Sequence, residues 1–193
     1  MSAAAPAGPP RMRTLAITQN ITVDGAIEML GDWFDPRTQS GDLLAELLRQ
    51  DGTADAFLVG RRTFEDLRGY WRGRTDDPTG IAAYLDTVRK YVVSSTLADP
   101  QWEPTTVLGG DPVDEVRRLK ERDGRDIVVT GSVTLTHALI EAGLVDEYRL
   151  FTYPTVQGGG RRLFPDGFAA LRMRLVEARA FDGGVTFTRY ATA

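Results

Sequence analysis

Four short runs of β-branched and aliphatic residues recur along the chain, and between them lie turn residues or stretches of helical period. The runs are Leu15-Ala16-Ile17, Ala56-Phe57-Leu58-Val59, Tyr91-Val92-Val93 and Ile127-Val128-Val129. Runs this apolar, with no polar alternation, belong to strands covered on both faces, which is the habit of a parallel sheet. The intervening segments are amphipathic. Leu43, Leu44, Leu47 and Leu48 recur at helical spacing, as do Ile81, Tyr84, Leu85 and Val88. Asp77-Pro78 and Asp111-Pro112 each place a capping carboxylate before a proline and so mark helix starts. The second opens a helix carrying Val113, Val116 and Leu119, and a further helix over 133–142 stops at Gly143.

The pattern changes near the C-terminus. Glu147 to Thr155 reads as one long strand, followed by a glycine-rich excursion. Met173 and Leu175 then alternate with Arg172 and Arg174, and Val185, Phe187 and Arg189 alternate with Thr186, Thr188 and Tyr190. Asp182-Gly183-Gly184 between these two segments is a hairpin signal. The expected fold is therefore α/β in three layers: a mixed, mostly parallel sheet with an antiparallel C-terminal hairpin and helices on both faces. Residues 1–11, rich in Ala, Pro and Gly, read as a disordered leader, and residues 12–193 as one domain.

Composition narrows the chemistry. The net charge of −4 leaves no basic surplus for a phosphate backbone, so nucleic acid is not an expected partner. The absence of cysteine and the single histidine remove thiol catalysis, cysteine–zinc sites and histidine cages, and no metal site is expected. No apolar run reaches membrane-spanning length, which makes the chain a cytoplasmic candidate with no membrane partner. What remains is chemistry done by carboxylates, hydroxyls, backbone amides or a borrowed cofactor.

Three places invite an anionic ligand. Gly60-Arg61-Arg62-Thr63 follows a buried strand and opens a helix, and Thr130-Gly131-Ser132 repeats that arrangement. Ser94-Ser95-Thr96 offers hydroxyls after a third buried run. Each taken alone reads as an ordinary strand-to-helix corner or polar loop. Together they lie beyond the carboxyl ends of strands, the rim where open α/β sheets bind ligands, with helix N-termini to meet phosphates. Neither G-x-G-x-x-G nor the P-loop pattern is present, which disfavours a regular Rossmann domain.

Those residues carry a family resemblance. In order they are Val23-Asp24-Gly25, Gly60-Arg61-Arg62-Thr63-Phe64-Glu65 with Tyr70-Trp71, Lys90 to Ser94, Gly131-Ser132, Leu144 to Leu150, Pro154 and Gly158 to Phe164. The chain resembles the dihydrofolate reductase-like superfamily. It is most similar to the C-terminal reductase domain of the bifunctional riboflavin-biosynthesis deaminase/reductase and its stand-alone relatives. The resemblance implies NADPH as hydride donor, held by Gly60, Arg61, Arg62, Thr63, Gly131 and Ser132, with Ser94 and Ser95 at the adenosine 2′-phosphate. Relatives often carry more glycine after the position of Gly131, where this chain has Ser132-Val133.

The implied reaction is hydride transfer to a carbonyl, imine or ring carbon–nitrogen bond of a small pyrimidine- or pterin-like substrate. Reduction of a phosphoribosylamino-uracil is one instance. For the acid, Asp42 is the nearest positional match, and Asp24 is a second candidate. Asp42 reads also as a first-turn carboxylate favoured by the helix dipole, and Asp24 as a turn residue beside Gly25. Asn20, Thr22 and Trp33 are candidate substrate contacts, each with a bland reading as loop or packing residue. No deaminase signature accompanies the reductase motifs. The alternative is a non-catalytic nucleotide-binding or interaction protein that keeps the fold. Relatives commonly form homodimers, which makes a second copy the expected macromolecular partner.

Overall fold

The structure, a computed structural model, describes residues 12–193. The expected leader over 1–11 lies outside the described residues. Eight strands form a single sheet: β1 (Leu15–Thr22), β2 (Ala54–Gly60), β3 (Arg89–Val93), β4 (Thr105–Leu108), β5 (Asp126–Val129), β6 (Glu147–Tyr153), β7 (Met173–Ala180) and β8 (Thr186–Thr192). Their spatial order is β4-β3-β2-β5-β1-β6-β8-β7. From β4 to β6 every neighbouring pair is parallel, while β8 is antiparallel to both β6 and β7. The mixed sheet with its late hairpin is thus the fold that the hydrophobic pattern predicts.

The helices are α1 (Gly41–Asp51), α2 (Arg61–Trp71), α3 (Ile81–Thr87), α4 (Pro112–Lys120) and α5 (Val133–Glu141). Leu15, Ile17, Leu58, Ile127 and Val129 point to one face and pack with Val116 and Leu119 of α4 and Leu135 and Leu139 of α5. On the opposite face, Phe57, Val59 and Val92 pack with Phe64 of α2 and Leu85 of α3. Farther along that face, Leu43 of α1 packs with Phe151 and Phe187.

Of the two Asp-Pro helix-start signals, one acts as expected and one does not. Asp111 caps α4 as predicted, accepting from the amides of Val113 and Asp114, with Pro112 opening the helix. Asp77 instead reaches forward to the amides of Thr79 and Ala82, and its helix begins only at Ile81. The edge strand β4 carries no long apolar run, and the sequence gives it no clear signature.

On the α1 face, Arg149 of β6 is 2% exposed and reaches past β1 to Asp126 of β5 at 2.5 Å, while also bonding Glu147 and the Thr53 hydroxyl. A buried guanidinium is tolerable because each of these oxygens accepts one of its N–H groups.

The order of strands also opens a gap. β1 and β2 are consecutive in the chain but not adjacent, because β5 lies between them. α1 packs over β6 and β8, and α2 with α3 packs over β2 and β3. The strip of sheet between those helices is left uncovered, and it carries Val128 and Thr130 from the end of β5 and Thr18 and Asn20 of β1.

Candidate functional site

The carboxyl ends of the central strands lie side by side. Leu58 pairs in register with Val129, and Val129 with Ile17, so the loops after β1, β2 and β5 leave the sheet along one edge. Gly60 pairs with Val93, which puts Ser94 at the same edge.

At this edge the starts of α2 and α5 are bonded to each other. The Gly60 amide donates to Ser132 Oγ at 2.9 Å, and the Ser132 amide donates to Thr63 Oγ1 at 3.1 Å. Ser132 occupies the N-cap position of α5 but does not cap it, since its hydroxyl faces Gly60 instead. The geometry requires Ser132 in the left-handed region (φ 48, ψ 50), rare for a residue with a side chain. Gly131 sits at φ +55, and a Cβ there would lie 3.2 Å from Thr63 Cγ2, so glycine satisfies both backbone and space. The Gly131 amide donates to Gln19 Oε1 at 2.9 Å.

Consequently neither helix has a side-chain cap. The first-turn amides of Arg61, Arg62 and Thr63, and those of Val133, Thr134 and Leu135, have no intrahelical carbonyl to meet. Two positive helix ends held together in this way favour an anion. Arg61 is exposed and pairs with Glu65 at 3.3 Å. Arg62 is exposed and bears on Glu28, whose carboxyl is lowered chiefly by its bonds from Arg161. The Ser94 hydroxyl accepts from the amides of Thr96 and Leu97 and closes its own turn, and Ser95 is exposed.

The uncovered strip forms a cavity of about 410 Å³ between α1 and the α2–α3 pair. It reaches from Gly131 and Thr130 at the helix starts down to Asp51 and Tyr84, with Phe57, Leu85 and Trp71 among its apolar walls. An outer cavity of about 760 Å³ adjoins it and shares Phe34, Pro36, Thr63, Leu67 and Trp71.

Asp51 ends α1 in this cleft, and none of the hydrogen bonds or ion pairs among the described residues involves its carboxyl. Burial away from water raises its ionisation to about 7. Tyr84 is raised strongly, first by burial and then by the charge of Asp51. The hydroxyls of Tyr84 and Thr18 are buried with no hydrogen-bond partner. Buried polar atoms are normally paired, so two unpartnered hydroxyls beside a partly buried, unpaired carboxylate make a polar lining that a ligand would complete.

The structure separates the other sequence-predicted residues. Asn20 lines the inner cavity. Asp24, Asp42, Thr22 and Trp33 line neither cavity. Asp24 accepts from the Thr22 hydroxyl at 2.6 Å and from the amides of Gln157 and Gly158, and these bonds lower it to about 2. It is an ionised tie between the loop after β1 and the glycine-rich loop. Asp42 accepts from the amides of Leu43 and Asp182 at the start of α1. Trp33 donates to Gln157 Oε1 and packs on Phe34 and Tyr153. The sequence alone does not single out Asp51 and Tyr84, although Asp51 lies four residues after Leu47, on the apolar stripe of α1. A carboxylate in that stripe was the available signal.

The comparisons agree with this architecture. The RibD C-terminal domain family model matches residues 13–187. The uncharacterized protein YyaP of Bacillus subtilis (strain 168) is 31% identical over 183 residues, covering 91% of this chain and 93% of that protein. The deaminase/5-amino-6-(5-phosphoribosylamino)uracil reductase of Thermotoga maritima superposes with a TM-score of 0.66 at 17% identity, over 94% of this chain and 57% of the bifunctional one. Dihydrofolate reductase from Enterococcus faecalis, solved with NADP(H), gives 0.62 at 19% identity over 93% and 96% of the two chains. The fold is that of the dihydrofolate reductase-like superfamily. The chain belongs to the RibD C-terminal domain family. Among the described residues no helix is long and apolar enough to cross a membrane, and no group of acidic and histidine side chains is arranged to hold a metal.

The ionisation of Asp51 makes stability depend on pH. Its carboxyl ionises near 3.8 in an unfolded chain and near 7 when folded, so the folded state binds the extra proton between these values. Stability from this group falls as pH rises through that window, and the full penalty applies above it. Asp51→Asn removes the penalty. In urea unfolding, the advantage of the variant should grow by about 2–3 kcal/mol between pH 5 and pH 8. An advantage independent of pH would contradict the raised ionisation.

Proposed function

We propose that the chain is an NADPH-dependent reductase of a small heterocycle, transferring hydride to a carbonyl, imine or ring carbon–nitrogen bond. The observation that supports this best is the pair of uncapped helix starts, joined through Gly60, Thr63 and Ser132, at the mouth of an unfilled cavity. Uncapped amides with arginines beside them fit the pyrophosphate of a dinucleotide. In this reading the amides of Arg61–Thr63 and Val133–Leu135 hold that pyrophosphate, with Gly60 and Gly131 allowing close approach. Arg61, Ser94 and Ser95 meet the 2′-phosphate, which requires Arg61 to leave Glu65 and Ser94 to donate its remaining O–H.

The bound nicotinamide supplies the hydride, so the protein's task is to orient a flat acceptor, exclude water and manage one proton. Phe57, Leu85 and Trp71 provide dry walls. Thr18, Asn20 and Thr130 present polar groups at the sheet face. The Asp51 carboxyl holds a proton near neutral pH and is the titratable acid in the cavity wall, a role for which Asp24, ionised and outside the cavity, is unsuited.

Pairing into a homodimer belongs to the same reading. β7 is an edge strand on which Leu175 and Val176 are exposed, with Leu171 just before it, an arrangement that a second copy would cover. Sedimentation equilibrium should then give twice the 21.2 kDa chain mass, and a monomer at micromolar concentration would refute it.

NADPH at a hundredfold excess over its Kd should stabilise the fold by about 2.7 kcal/mol, visible as a rise in Tm. Arg61→Ala and Ser94→Ala should each weaken NADPH more than NADH, since only the former carries the extra phosphate. Equal weakening would remove the 2′-phosphate assignment. Saturable NADPH binding without oxidation by any pteridine, pyrimidine or quinone would favour the non-catalytic alternative.

A further inference from the structure

The two adjoining cavities are lined by uncharged residues and aspartates. None of their lining residues is lysine, arginine or histidine. Asp32, Asp35 and Asp66 line the outer cavity and Asp51 the inner. Arg37 neutralises Asp35 at 3.1 Å, but Asp32, Asp51 and Asp66 take part in no ion pair among the described residues.

The basic groups nearby are engaged elsewhere. Arg149 shares the sheet face of Thr18, its register partner, and is bonded to Asp126, Glu147 and Thr53. Arg125, which bears on Tyr84, donates to the Gly52 carbonyl. Away from the helix starts, at the Asp51 end of the inner cavity, a phosphate would find no cation in the wall to pair with and would face a carboxylate instead.

We propose that the inner cavity takes a flat aromatic ring that is neutral or positively charged and bears no phosphate, with Asp51 binding its basic or N–H-bearing edge. The identification of that ring as the substrate rests on the reductase reading. The ring lies between the Phe57 and Leu85 walls, and its polar edge meets the three groups left without partners, the Asp51 carboxyl and the hydroxyls of Tyr84 and Thr18. Asp51 accepts from an N–H of the ligand, and Tyr84 donates to a ring nitrogen or carbonyl. A phosphate on the part of the ligand that reaches Asp51 is excluded by the same lining. Asp51 is therefore the residue that sets substrate charge.

Benzamidine, benzamide and benzoate have nearly the same shape and differ in charge, which makes them direct probes. Isothermal titration of the full chain, with and without NADP+, should show benzamidine binding roughly tenfold or more tightly than benzamide, the worth of one charge-assisted hydrogen bond. With NADP+ bound and the helix starts occupied, benzoate and uridine 5′-monophosphate should bind more weakly than either. Asp51→Asn should bring benzamidine and benzamide to the same affinity, and Tyr84→Phe should weaken both while keeping their order. Benzoate or uridine 5′-monophosphate binding to the NADP+ complex as tightly as benzamidine would overturn the proposal. So would a benzamidine preference that survives Asp51→Asn, or no binding by any of the probes. Titration of NADP+ alone separates the two readings. Its failure refutes the reductase, whereas tight NADP+ with benzoate preferred refutes only the charge selectivity.

Discussion

Two hydrogen bonds between the starts of α2 and α5, from the Gly60 amide to Ser132 Oγ and from the Ser132 amide to Thr63 Oγ1, constrain everything around the candidate site. The first uses the Ser132 hydroxyl, which stands at the N-cap position of α5 and would ordinarily cap that helix. By turning toward Gly60, Ser132 leaves the first-turn amides of α5 open, and Thr63, turned toward Ser132, fixes the distance between the two helices. The cost appears in the backbone, where Ser132 and Gly131 both adopt the left-handed conformation. A chain that needed only stable helices would have capped them locally.

The cavity below has a topological origin. Insertion of β5 between β1 and β2 separates the helices that follow those strands and leaves the cavity between them. What fills the far end is Asp51, held at the close of α1, where the helix dipole also disfavours a carboxylate. It shares that cavity with the apolar Phe57, Leu85 and Trp71, and burial there raises its ionisation to about 7. The shape of the sheet and the charge state of one acid are thus parts of one arrangement.

Much of this was legible in the sequence because it follows from local pattern. The buried runs at Leu15–Ile17, Ala56–Val59, Tyr91–Val93 and Ile127–Val129 became parallel strands, and Asp182-Gly183-Gly184 became the turn between β7 and β8. The helix starts at Gly60 and Gly131 were visible because glycine after an apolar run marks a backbone corner. The order of the strands was not, since β5 pairs with β1 and β2 across long sequence separations. Asp51 depends on that order. Its carboxyl is unusual only because β5 opens a cleft beside it, whereas Asp42 stands at a helix start that the sequence marks by itself. Asp24 stood out through its neighbour Gly25, but the bonds that hold it ionised come from Gln157 and Gly158, more than 130 residues away.

The most direct test is a titration of the isotopically labelled chain with NADPH, following backbone amide resonances. If the joined helix starts receive the pyrophosphate, the largest shifts fall on the amides of Arg61–Thr63 and Val133–Leu135 together, at a common Kd. Shifts confined to one helix start, or NADPH binding that leaves both unmoved, would contradict the account.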